Sequence, residues 1–76
     1  MDGTFKLSID SFPSNLRELL NKKELSATRL AYLMRVSRMT VYNWRRGRSD
    51  PPLRRIFQIA ELLGVDAQQL LKETTN

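Results

Sequence analysis

Apolar residues recur along this chain at two different periods. From Phe5 to Ile9 they alternate with polar ones, Phe5, Leu7 and Ile9 against Lys6, Ser8 and Asp10. A period of two predicts a short extended segment. A lone strand has no stability of its own, so residues 1–12 read as an extension that pairs across a two-fold axis or folds back on its own domain. From residue 13 onward the period is helical. Leu16, Leu19 and Leu20 mark a first helix, begun at Pro13 and Ser14 with Ser14 as N-cap, and ended at Asn21-Lys22-Lys23-Glu24, where cations suit the helix dipole. Leu30, Ala31 and Met34 mark a second helix behind the N-cap Ser26. Val41 and Trp44 mark a third, capped by Ser37 and stopped by Gly47 as a left-handed C-terminal residue. After the loop Arg48-Ser49-Asp50-Pro51-Pro52, a fourth helix begins at Asp50 or Pro51. Leu53, Ile56, Phe57, Ile59, Ala60 and Leu63 give it a wide apolar face, and Gly64 closes it. Asp66 caps a fifth helix carrying Leu70 and Leu71, and residues 74–76 form a tail.

Five short helices with tight connections predict an all-α domain over residues 13–73, preceded by the short extended segment. The link between helices two and three is only Arg35 to Ser37. So short a link forces a steep crossing, the geometry of a helix-turn-helix.

Composition narrows the chemistry. A chain of 76 residues makes one domain and buries only about 60% of its unfolded surface. It holds no Cys and no His, which excludes disulfides, zinc fingers, Cys nucleophiles and His bases. No nucleophile, metal or phosphate-loop motif is present, so neither enzyme activity nor a cofactor is expected. No apolar run reaches the ~18 residues of a membrane span. The acidic start Met1-Asp2-Gly3-Thr4 does not read as a secretory leader. A cytoplasmic protein with no membrane or metal partner is therefore expected. Charge is the more informative quantity. Residues 35–55 hold seven arginines against Asp50 alone, a net of +6, whereas the whole chain is +5. All the excess positive charge thus falls in one segment, and all of it is Arg, whose fork matches phosphate and guanine edges. That favours a polyanionic partner.

The run Leu25-Ser26, Leu30-Ala31, Val36-Ser37, Val41, Trp44, Gly47, Pro51 and Leu63-Gly64-Val65 resembles the phage-repressor-type, or XRE, helix-turn-helix family over residues 14 to 71. The resemblance implies a compact five-helix, repressor-like domain whose third helix, at about 37–46, enters the major groove of double-stranded DNA. It also implies a transcriptional regulator of phage or bacterial type. Three positions depart from the family pattern. Arg35 stands where the turn usually has Gly, Ala27 where a phosphate-anchoring Gln usually opens helix two, and Leu20 with Arg45 where an Arg–Glu pair is common. The double change at Leu20 and Arg45 avoids an uncompensated buried charge and predicts that Leu20 packs while Arg45 swings out.

The resemblance places base-reading residues at Arg38, Met39, Thr40 and Asn43. The chemistry agrees: Arg pairs with guanine, Asn with adenine, and Thr or Met meets a thymine methyl. Arg35, Arg45, Arg46, Arg48 and Arg54, the caps Ser26 and Ser37, and the Trp44 indole N–H are the candidates for phosphate. One such unit reads only a few base pairs, so a homodimer is expected, at least on DNA. Tyr32, Leu33, Leu62 and Leu71 fall off the core faces and are the candidates for a partner surface. The competing reading is a protein-interaction module of the same fold, such as an antitoxin or accessory factor. Non-specific RNA binding ranks lower, because it leans on stacking aromatics and the chain has only six.

Overall fold

The computed structural model describes residues 7–73, which form five α-helices and no strand. A 3-10 turn at Ile9–Ser11 runs into α1 (Phe12–Lys22), followed by α2 (Ala27–Met34), α3 (Arg38–Arg46), α4 (Leu53–Leu63) and a single-turn α5 (Gln68–Leu71). The all-α expectation holds. Phe12, Leu16, Leu30, Met34, Val41, Ile59 and Leu70 are the largest fully buried side chains, so each of the five helices contributes to one core. α3 packs chiefly against α2 and α1, and α5 closes on α1.

The caps that open α2 and α3 are those expected. The Ser26 hydroxyl accepts from the Arg29 amide at 3.0 Å and the Ser37 hydroxyl from the Thr40 amide at 3.1 Å. Each satisfies one orphan amide of a helix start. Gly47 is left-handed, with φ of 74°. A Cβ there would lie 3.3 Å from Pro13 Cγ, so both backbone and space favour glycine.

Several boundaries differ from the sequence reading. α1 starts at Phe12, and Ser14 is not its N-cap. Ser11 holds that position, without a side-chain cap, and the Ser14 hydroxyl donates to the Ser11 carbonyl. Pro13 suits the first turn, while Phe12, at 1% exposure, anchors it in the core. α4 starts later than Asp50 or Pro51. Pro52 forces Pro51 out of the helical region, so the buried Pro51 lies in the loop and the extended Pro52 is the N-cap. Asp66 does not cap α5. Ala67 takes that position, and Asp66 offers its backbone carbonyl to the Gln69 amide at 2.9 Å. On α4, Leu53 and Phe57 are exposed rather than core. The face that fits the bundle is the narrower Ile56, Ile59, Ala60 and Leu63 stripe. Leu71, by contrast, packs partly buried against the core.

The alternating segment is no strand where it is described. Phe5 and Lys6 lie outside the described residues. Leu7 makes one isolated antiparallel bridge with Lys72, and the Ser8 amide donates to the Leu71 carbonyl at 2.7 Å. Beneath this clasp sits Asn15, 3% exposed, whose Nδ2 donates to the Leu70 carbonyl at 3.0 Å and the Lys72 carbonyl at 2.9 Å. Residues 7–12 therefore fold back onto the domain.

Arg35 closes α2 in the left-handed region, φ 61°. The turn returns the Val36 amide to the Ala31 carbonyl at 3.0 Å. A non-glycine residue there costs about 1–2 kcal/mol, against roughly 0.5–1 kcal/mol of extra unfolded-state entropy for Gly. Arg35→Gly is expected to raise stability by roughly 0.5–1 kcal/mol, measured by guanidinium unfolding; a loss of stability would show that the Arg35 side chain makes contacts that outweigh the strain.

Candidate nucleic-acid interface

α3 is only nine residues long, yet it divides cleanly. At about 100° per residue, the buried Val41 and Trp44 share one side, while Arg38, Met39, Tyr42, Asn43 and Arg46 share the other. Arg38 and Arg46 are exposed, and Met39 is 60% exposed. An apolar side chain so placed at a helix start is available to a partner. Asn43, one turn after Met39, is half-buried at the edge of this face, and so is Thr40. Thr40 is partly engaged already, since its hydroxyl lies 2.9 Å from that of Ser37. The recognition-type residues of the sequence reading are thus brought to one helix face, with Thr40 at its rim.

The expected backbone-clamping residues divide into groups. Ser26, Arg35, Ser37, Arg46, Arg48 and Arg54 are exposed. Ser26 and Arg45 line a groove of about 310 Å³ between the end of α1, the start of α2 and α3. Arg35 lies elsewhere, beside Tyr32, Leu33 and Val36. Arg48 and Arg54 flank the loop into α4. Trp44 is 4% exposed, so nearly all of its ring serves the core.

Leu20 is buried, as the double departure from the Arg–Glu pair predicts. Arg45 is half-buried, its guanidinium 5.5 Å from the centre of the Tyr42 ring. The α1–α3 tie is made by different atoms: Arg17 Nη1 donates to the backbone carbonyl of Arg45. A guanidinium on the last carbonyls of a helix also opposes the negative end of its dipole. Arg17 went unnoticed in the sequence because it lies one turn before the family position. Tyr42 and Thr28 also went unnoticed. Their hydroxyls lie 3.4 Å apart, bridging α3 to the first turn of α2. Tyr42 carried a weak signal, falling on the polar side of α3 with Arg38 and Arg46 as helical neighbours.

Not every arginine of the cluster is free. Arg55 Nη1 donates to Gln58 Oε1 at 2.8 Å and to the Met34 carbonyl at 3.4 Å, tying α4 to the end of α2. Among the described residues no His, Cys, Asp and Glu group could hold a metal ion, and no helix is long and apolar enough to cross a membrane.

The model of a helix-turn-helix family matches residues 16–70, from the core residue Leu16 to the core residue Leu70. No curated protein matches the chain.

Proposed function

Because the chain belongs to the XRE-type helix-turn-helix family of DNA-binding regulators, we propose that it reads double-stranded DNA with the exposed face of α3 in the major groove, as a repressor-like regulator in the cytoplasm. The observation that carries this reading is the union of Arg38, Met39, Asn43 and Arg46 on one side of α3, with Val41 and Trp44 buried on the other. In this reading Arg38 pairs with guanine O6 and N7, Asn43 with an adenine edge, and Met39 and the Thr40 methyl meet thymine. Arg35, Arg45, Arg46, Arg48 and Arg54, with the caps Ser26 and Ser37, hold phosphates and set register. The Trp44 ring is buried, and only its indole N–H joins this contact set. Two copies, one DNA turn apart, supply the length of site that one unit lacks.

The test is a fluorescence titration across salt, using a duplex selected from a random pool and a scrambled control. Asn43→Ala is expected to cost about 1–3 kcal/mol on the selected duplex and almost nothing on the control. Arg46→Ala is expected to weaken both alike and to flatten the salt dependence by about 0.9 log unit of affinity per log unit of salt. If both variants bind as the parent does, α3 is not the reading element. A protein-interaction role would draw instead on Leu53 and Phe57, exposed one turn apart on α4. Absence of any salt-dependent duplex binding would favour that role.

A further inference from the structure

We propose that Tyr42 is a positioning residue, which reads no base itself but holds the Arg45 guanidinium in place for one DNA phosphate. The inference rests on the DNA-binding reading above and adds to it the means by which one backbone contact is pre-set.

The geometry calls for an aromatic ring at this position. Tyr42 and Arg45 are three apart on α3, a spacing that brings side chains together. The guanidinium lies 5.5 Å from the ring centre, within the range of a cation–π contact. The ring in turn is held by packing against the core, and its hydroxyl lies a long 3.4 Å from Thr28 Oγ1 at the start of α2. The backbone beneath Arg45 is also held, by the Arg17 guanidinium on its carbonyl. Arg17, Thr28, Tyr42 and Arg45 line one groove together with Ser26. A long flexible arginine is therefore restrained at both its base and its tip.

Such restraint matters because an arginine loses rotamer freedom when it docks on phosphate. A guanidinium already stacked in the docking position loses less. The family's usual phosphate-anchoring Gln is replaced here by Ala27, which carries no polar side-chain atom. The Tyr42–Arg45 pair sits on the same groove and supplies a cation where that amide is missing.

The experiment measures the salt dependence of binding to a mixed-sequence duplex for the parent, Arg45→Ala, Tyr42→Leu, Tyr42→Phe and the Arg45→Ala/Tyr42→Leu double variant. Each protein's fold is checked by thermal unfolding. Leucine keeps apolar bulk but removes the π face; phenylalanine keeps the π face. Arg45→Ala and Tyr42→Leu are each expected to lower the slope by about 0.9, the signature of one released phosphate contact. The double variant is expected to fall no further than either single one, and Tyr42→Phe to restore the parent slope. A loss of helix packing alone would weaken binding without this shared slope change. The proposal is overturned if Arg45→Ala leaves the slope intact, if Tyr42→Leu does, or if the two losses add. Should Tyr42→Leu fail to fold, Tyr42→Met removes the same π face and is judged by the same outcomes. If the parent itself shows no salt-dependent duplex binding, the DNA reading fails, a result distinct from a parent that binds while its Tyr42 variants keep the parent slope.

Discussion

Alanine at Arg45, Arg46, Arg48 and Arg54 together is expected to remove most of the affinity for any DNA sequence and to lower the salt slope by about 3.6, four phosphates at about 0.9 each. Across a fourfold rise in salt, the parent then loses about a hundredfold more affinity than the quadruple variant does. Fluorescence anisotropy at several salt concentrations reads this directly. The fold should survive, because Arg46, Arg48 and Arg54 are exposed and Arg45 is only half-buried. Arg55 is left out deliberately, since its guanidinium serves Gln58 and the Met34 carbonyl. A quadruple variant with the parent slope would show that these arginines face solvent rather than DNA.

Phe12→Ala is expected to destabilise the fold severely. Phe12 is 1% exposed at the start of α1, in a core shared by all five helices. Truncating a buried phenylalanine costs about 3–5 kcal/mol, combining lost transfer energy and an unfilled cavity. At the usual 0.05–0.15 kcal/mol per residue, a domain of this length holds only about 4–11 kcal/mol in total. The variant is therefore expected to melt at least ~12 °C lower, measured by thermal unfolding. A drop of only a degree or two would mean that the residues before Pro13 are dispensable to the core.

That second prediction turns on a residue that sequence reasoning assigned to an extension. The alternation of Phe5, Leu7 and Ile9 runs directly into Phe12, and nothing local marks where one period gives way to the other. The tertiary contacts decide it: a 3-10 turn at Ile9–Ser11 redirects the chain so that Phe12 enters the bundle. Asn15 is similar. An Asn on a helix reads as a solvated position, and only the arrival of the Leu70 and Lys72 carbonyls from the far end of the chain makes it a buried clasp. At Leu53 and Phe57 the apolar pattern was real, but a helix has room for only part of its apolar arc against a small core.

What was legible in the residues alone is local or periodic. Ser26 and Ser37 cap because a hydroxyl beside free amides bonds them wherever the helix goes. Gly47 and Gly64 end helices because their φ of 74° and 71° suits a residue without a Cβ. Leu30, Val41, Trp44 and Ile59 are core because their spacing leaves each helix one apolar side. The concentration of arginine in residues 35–55 is likewise a property of the chain. What only the folded molecule decides is pairing at a distance. That Arg17 ties to the Arg45 carbonyl, that Arg55 turns inward while Arg46 stays out, and that Tyr42 meets Thr28 depend on the angles between helices. Those angles follow from how whole side chains pack, and no spacing along the chain encodes which of several identical guanidinium groups finds which partner.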